Sequence, residues 1–277
     1  MKKLPYLALL LFFCQANSQY YYKDIVAATD ITRLMKTYVA NNVKKVTGTG
    51  ISPQGSAVTE FGETHEVLAD EKLLRITTRI NQAVSLLRHM FNEAGLLIST
   101  VDSAAGVRSV STYSYDANGK IISISNSATD ADSSGDFSQT EVHNYLYKDG
   151  KLSKMWRIIN GRDSLEVRFE VDEAGNVIEE RRFKARVLSD PIYYYYDEKN
   201  RLTDIVRFNY KANRLLPDFL FEYDESDRVI QKITTTSGGN LGYLTWRYLF
   251  NEKGLKTKEA LFDKDKVLQG RIDYTYN

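Results

Sequence analysis

From about residue 85 onward, apolar and polar positions alternate in short runs separated by turn residues. In Val167-Arg168-Phe169-Glu170-Val171 the apolar side chains take every second place and the charged ones lie between. Phe219, Phe221 and Tyr223 repeat the pattern, as do Trp246, Tyr248 and Phe250. A period of two carried by aromatic and β-branched residues predicts half-buried strands. Residues 24–41 differ. Ala27, Ile31, Leu34, Met35 and Tyr38 share one face of a helical period, and the opposite face is not rich in Lys or Arg. This amphipathic helix is expected to plug one end or side of a curled sheet rather than lie on a membrane. Asp24 or Asp30 is placed to cap its start, and Asn41-Asn42 to end it. Residues 43–51 and 66–80 read as further strands.

The strands come in a repeat. Its fullest copy is Tyr113-Ser114-Tyr115-Asp116-Ala117-Asn118-Gly119-Lys120-Ile121. The residue before the Asp/Asn recurs at 91, 115, 147, 171, 196, 223, 250 and 276, with intervals of 24, 32, 24, 25, 27, 27 and 26. Each unit predicts two strands and two turns. In the inner turn the Asp or Asn hydrogen-bonds its own backbone, and the third residue after it needs positive φ. Gly95, Gly119, Gly175 and Gly254 fill that slot, as do Asn200 and Asp227, residue types suited to left-handed backbone. The outer turns vary. Asn160-Gly161 is a hairpin signal, residues 211–213 and 237–240 are looser, and Asp190-Pro191 should break pairing. Two strands per interval give roughly 14 strands, more than an open twisted sheet holds without curling. The fold class expected is all-β: an antiparallel up-and-down meander of β-hairpins in a strongly curled or barrel-like sheet, with one N-terminal helix. A solenoid of stacked hairpins competes with it.

The first residues form a separate signal. Lys2 and Lys3 precede an apolar run, and Ala16-Asn17-Ser18 follows it. This is the pattern of a secretory leader ending near Ser18, and the run is too short for a membrane anchor. Cys14 follows the bulky Phe13, which argues against lipid attachment there. The division expected is a leader at 1–18, the helix and leading strands at 19–84, and the repeats at 85–277 packed on them as one domain. An exported protein, periplasmic or at the cell surface, follows. Removing Lys2 and Lys3 from 37 basic residues leaves 35 against 36 acids, which gives no footprint for nucleic acid. Charges on both sides of the strand at 178–187 oppose a lipid-facing wall, so a membrane-spanning barrel is not expected.

Candidate chemistry is sparse. The long interval contains Asp130-Ala131-Asp132-Ser133-Ser134-Gly135-Asp136, with Glu141 at the twelfth position. Oxygen ligands from Asp130, Asp132, Ser134, the Asp136 carbonyl and Glu141 match a calcium loop, with glycine at the sharp turn. The flanks read as strands rather than helices, and a solvated Ser-rich hairpin loop fits the same composition. Any calcium here would order the loop. His65, His89 and His143 lack partners at metal-ligand spacing and read as surface or packing residues. Glu179 and Glu180 are adjacent on a strand and face opposite sides. No serine has a nucleophile-elbow context, no glycine loop cradles phosphate, and no cofactor is expected. The chain has 19 tyrosines and 2 tryptophans, which could form a glycan-stacking ladder or simply the packed face.

The Tyr-x-Tyr-Asp-x-x-Gly-basic-apolar unit resembles the YD repeats of Rhs-type bacterial surface and secreted proteins. Residues 113–121, 194–202 and 221–229 carry the likeness, which runs over 85–277. The period is longer here, the copies are fewer, and no toxin-like extension follows them. The resemblance therefore implies hairpin architecture and a small secreted repeat protein, not a toxin-enclosing shell. The function expected is non-enzymatic: a binding or structural module of the cell envelope whose partner is a glycan or another envelope protein. The alternative is a glycan-binding or glycan-acting protein with a cleft in the curled sheet.

Overall fold

The computed structural model describes residues 20–104, 106–130, 138–210, 212–236 and 242–277. One helix, α1 (Tyr22–Ala40), precedes the strands β1 (Lys45–Ile51), β2 (Ala57–Leu68), β3 (Leu73–Ile80), β4 (Ala83–Phe91), β5 (Leu97–Ala104) and β6 (Val107–Tyr115). Then follow β7 (Ile121–Asp130), β8 (Ser138–Lys148), β9 (Lys151–Ile159), β10 (Asp163–Val171), β11 (Val177–Lys184), β12 (Val187–Leu188) and β13 (Ile192–Tyr196). The chain ends with β14 (Leu202–Asn209), β15 (Arg214–Tyr223), β16 (Val229–Thr236), β17 (Gly242–Phe250), β18 (Lys256–Phe262) and β19 (Leu268–Tyr276). Neighbours in sequence pair antiparallel, and β19 returns to pair with β1. The 19 strands thus make a closed barrel of 18 positions, because β12 and β13 share one edge of β11. The break between them falls at Asp190-Pro191, as the missing proline donor predicts.

Closure removes the exposed edges that a long open meander would leave. It also explains the strand count. The leading residues supply β1, β2 and β3. The stretch 57–65, too polar to announce itself, completes β2, with 62–65 paired to β1 on one edge and 61–65 to β3 on the other.

The Asp-to-Gly corners all lie on one rim. Asp116 Oδ1 accepts the backbone N–H of Asn118 at 2.9 Å and of Lys120 at 2.8 Å. Asp197, Asp224 and Asn251 repeat that pair of bonds. The slot three residues on has φ +78° at Gly119, +59° at Asn200 and +61° at Asp227. Asp149-Gly150 is the exception, a tight two-residue turn between β8 and β9 with both residues at positive φ.

Each corner is tied to the next. The second tyrosine of a copy donates its hydroxyl to a carbonyl just past the preceding corner: Tyr115 to Leu97 (2.6 Å), Tyr147 to Ile121 (3.0 Å), Tyr196 to Val177 (2.9 Å), Tyr223 to Leu202 (2.7 Å) and Tyr276 to Lys256 (2.6 Å). These carbonyls belong to residues beside β-bulges in the ladder. The basic residue reaches forward instead. Arg201 bonds Asp197 and the Asp224 carbonyl, and its guanidinium lies 4.9 Å from the centre of the Tyr223 ring. Arg228 does the same with Asp224, the Asn251 carbonyl and Phe250. The motif therefore encodes a lateral lattice along the rim as well as a turn. Tyr223→Phe should lose about 1 kcal/mol by stranding the Leu202 carbonyl. Thermal unfolding followed by circular dichroism should show Tm lower by roughly 2–4 °C.

Candidate functional site

One face of every strand points inward, and α1 identifies it. The helix touches inward residues on opposite arcs of the wall. Near its start, Tyr22 packs edge-on to Tyr194 of β13, and the Lys23 ammonium lies 4.6 Å from the centre of the Phe219 ring on β15. Midway, Thr32 Oγ1 accepts the N–H of Leu97 on β5 at 3.4 Å. At its end, Tyr38 meets His65 of β2 and Tyr276 of β19, and Asn41 donates to the Lys253 carbonyl in the β17–β18 corner at 3.3 Å. These partners lie at or near the corner rim. A helix of 19 residues is about 28 Å long, enough to lie across the mouth. It therefore plugs one end of the barrel, as its amphipathic pattern predicts. Ala28, Met35 and Tyr38 are buried on its packed face.

The helix start differs from the sequence expectation. Neither Asp24 nor Asp30 caps it: the N-cap is Tyr21, with no local side-chain bond. The cap comes from β11. Glu180 Oε1 accepts the Tyr21 N–H at 3.2 Å, and Oε2 accepts the Tyr22 N–H at 3.1 Å and the Tyr194 hydroxyl at 2.8 Å. A carboxylate from across the fold thus satisfies donors that a local Asp would otherwise take. Glu180 is fully buried, and burial pushes its carboxyl up to about 7 against the pull of those bonds. Glu179, its neighbour, faces outward and pairs with Arg181.

Asp24 instead serves a buried charge network. His143 of β8 donates from Nδ1 to Asp24 Oδ2 at 2.9 Å and from Nε2 to Glu141 Oε1 at 2.7 Å. Arg157 of β9 donates from Nε and Nη2 to Glu141 at 2.9 and 3.1 Å. Two carboxylate acceptors require both ring nitrogens to carry hydrogen, so His143 is an imidazolium. Burial alone would lower its pKa, but the bonds to Asp24 and Glu141 prevail and raise it to about 9. Glu141 is held at about 2: burial pushes upward, and His143 and Arg157 outweigh it. His65 is a different case. Its Nδ1 shares a hydrogen bond with the Tyr38 hydroxyl and its Nε2 one with Glu63, each at 2.9 Å, so the ring bridges helix and wall. His89 bonds Thr100, and burial lowers it to about 4.

The three histidines are thus buried at 7, 4 and 8 % exposure, and His65 and His143 join α1 to the wall. Their spacing gave no hint because the partners lie far away in sequence. Among the proposed calcium ligands, Asp132, Ser134 and Asp136 lie outside the described residues. Asp130 closes β7, and Glu141 sits inside the barrel in the network above. Among the described residues, no group of three or more His, Cys, Asp or Glu is arranged to hold a metal.

One flank of α1 stands over the later strands of the wall. Between it and strands β13 to β19 lies a cavity of about 990 Å³, at the upper end of the range for small-molecule pockets (~300–1,000 Å³). Val26, Ala27 and Leu34 of the helix form one side, and Phe219, Phe221 and Tyr248 form part of the other. Phe219 and Phe221 lie nearly parallel, with an interplanar angle of 8°. Lys232 and Glu259 project from the wall, and Arg228 and Lys253 stand at the corner rim. This cavity is the candidate binding site. A cleft in the curled sheet was the alternative expectation, but none of these residues was named for it, because the space forms only between helix and wall.

The outer wall mixes ion pairs with exposed apolar side chains, among them Met90, Leu146, Trp156, Ile178 and Leu249. Arg168 pairs with Glu166 at 2.6 Å and Arg271 with Asp273 at 2.9 Å, all on outward-facing positions. Among the described residues no helix is long and apolar enough to cross a membrane.

No family model matches the chain, and no curated protein matches it. Several solved structures are loosely similar. A porin-like protein from Bacteroides uniformis aligns over 85 % of this chain and 98 % of its own, at 9 % identity and a TM-score of 0.43. The Photorhabdus luminescens Tc holotoxin pore aligns over 78 % of this chain but 16 % of its own, at 10 % identity and a TM-score of 0.31. A DUF1329 family protein from Desulfovibrio piger aligns over 91 % of both chains, at 11 % identity and a TM-score of 0.20. At these scores the similarities carry no functional information.

Proposed function

We propose that this chain is an exported, non-enzymatic barrel of the cell envelope that binds a small ligand between its plug helix and its wall. The observation that carries the reading is the cavity of about 990 Å³ that α1 and β13 to β19 enclose together. Binding rather than catalysis is favoured by the charge networks. Glu180, His143 and Glu141 are each committed to buried partners that fix the helix. Export is supported by the leader pattern at 1–18. The outward ion pairs favour a wall facing water rather than lipid, since charges on a lipid face cost roughly 2–4 kcal/mol at the midplane. The corner lattice supports grouping the chain with small YD-like repeat proteins.

Thermal stabilisation by a panel of small envelope metabolites tests this. Hits are expected, and Ala27→Trp, which puts a bulky ring into the cavity from the helix side, should weaken them. A panel without hits, or hits indifferent to Ala27→Trp, would contradict the reading. Fractionation of cells making residues 1–277 should place a protein beginning at Gln19 outside the cytoplasm.

A further inference from the structure

The charge pairing of the cavity lining narrows its ligand, a step that rests on the reading above. Ten lining side chains are Lys, Arg, Asp or Glu. Asp30 pairs with Arg33 at 3.4 Å, and Glu259 pairs with Lys256. The Lys23 ammonium lies 4.6 Å from the centre of the Phe219 ring. Lys232, which burial lowers to about 8, is attracted by Glu259 and Asp30. Arg228 pairs with Asp224 at 2.6 Å, and Asp227 with Arg201 at 2.9 Å. The other two, Glu252 and Lys253, are exposed neighbours of opposite sign at the β17–β18 corner. An ionic ligand would have to shed its water and draw one of these groups from its partner, a cost that only a well-placed free counter-ion repays. The walls between the pairs are apolar and aromatic, from Val26, Leu34, Leu202, Ile205, Phe221 and Phe250.

Five tyrosines also line the cavity, and four of their hydroxyls are engaged. Tyr38 bonds His65 at 2.9 Å, Tyr194 donates to Glu180 at 2.8 Å, Tyr276 donates to the Lys256 carbonyl at 2.6 Å, and Tyr22 bonds Tyr196. The fifth, Tyr248, has the Lys256 ammonium 5.4 Å from its ring centre, and its hydroxyl has no hydrogen-bond partner among the described residues. We propose that the cavity takes an uncharged, largely apolar molecule with one carbonyl or hydroxyl oxygen, which accepts a hydrogen bond from Tyr248 while the apolar body lies against Phe221 and Phe250. Burial, aided by the Glu259 charge, pushes the Tyr248 hydroxyl well above the usual tyrosine range, so it keeps the proton it would donate. One placed polar group in an apolar pocket is the usual way such sites fix a ligand's orientation. A sugar fits poorly, because the short hydroxyls are spent elsewhere: Thr37 donates to the Arg33 carbonyl at 2.9 Å, and Ser226 is exposed on the rim. A polyol here would exchange its water bonds for apolar contact, an unfavourable trade.

Isothermal titration of the chain from Gln19 with 2-decanone, sodium decanoate, decylammonium chloride and butylbenzene tests the proposal, each ligand kept below its aggregation limit. The ketone should bind one to one, about tenfold or more tighter than either ion, because the ions lose hydration without gaining a free partner. Tyr248→Phe, which keeps the ring, should weaken the ketone about fivefold, the worth of one neutral hydrogen bond, and leave butylbenzene unchanged. The variant should also keep the wild-type melting profile. Either ion binding as tightly as the ketone, or a ketone indifferent to Tyr248→Phe, would overturn the neutral ligand held by Tyr248. If the ligand that does bind is weakened by Ala27→Trp, the cavity reading survives and only the ligand class falls. If no probe binds, or none responds to Ala27→Trp, both fall.

Discussion

Replacing Glu141 with alanine should destabilise the protein by about 3–5 kcal/mol, the cost of leaving buried charges without their partner. Glu141 holds both the His143 imidazolium and the Arg157 guanidinium, and its side chain is 13 % exposed. Its removal leaves His143 bound to Asp24 alone and Arg157 without its bidentate acceptor. For a chain of this size the loss lowers Tm by roughly 6–20 °C, read by calorimetry at pH 6. Glu141→Gln should cost less, because it keeps an acceptor for one of the two. The pH dependence follows from the two shifts. His143, raised to about 9, contributes stability that is complete below pH 6.5 and lost as pH rises through 9. Glu141, lowered to about 2, contributes stability present above pH 4.5 and lost as pH falls through 2. A Glu141→Ala protein as stable as wild type at pH 6 would show the network to be inert.

Glu180→Ala should cost about 3 kcal/mol, since it strands two backbone N–H groups and the Tyr194 hydroxyl inside the barrel. The loss is local in kind: it loosens the start of α1, so amide exchange in the first turn of the helix should rise more than exchange in the strands. The carboxyl has a distinct pH signature. Its folded value of about 7 lies above its ordinary value of 4.5, so its contribution is complete below pH 4.5 and falls as pH rises through 7. The difference amounts to about 3 kcal/mol across that window, at 1.36 kcal/mol for each pKa unit. Glu180→Gln cannot titrate. The stability difference between wild type and Glu180→Gln should therefore shrink between pH 4.5 and 7, and a pH-independent difference would contradict the buried carboxyl.

What the sequence shows well are features fixed by neighbours in the chain. The corners follow from Asp116, Asp197 and Asn251 bonding their own backbones, and from glycine, Asn or Asp at positive φ. The alternation of Phe169 with Arg168 and Glu170 was enough to assign faces. The helix and its plugging role followed from a single apolar stripe. What the sequence hides depends on closure. Glu180 is buried at the helix start although Glu179, Arg181 and Arg182 surround it, and nothing local distinguishes it from them. His143 meets Asp24 across 119 positions. The cavity is bounded by residues from opposite ends of the chain, so it has no motif. The tyrosines read as a packed face prove to be more than that: their hydroxyls stitch successive corners together.

The most direct test concerns the seam between the first and last strands. Thr47 of β1 and Thr275 of β19 stand opposite each other on the outer wall. Opposed residues of an antiparallel pair have Cα atoms about 4.5–5.5 Å apart, within reach of a disulfide. In the chain from Gln19, which contains no cysteine of its own, Thr47→Cys with Thr275→Cys should form that disulfide nearly completely under mild oxidation. Thr47→Cys with Thr257→Cys, on β18, should not. An open curled sheet or a solenoid of hairpins leaves β1 and β19 at opposite ends of the molecule. Failure of the Thr47–Thr275 pair to cross-link in folded protein would refute the closed barrel.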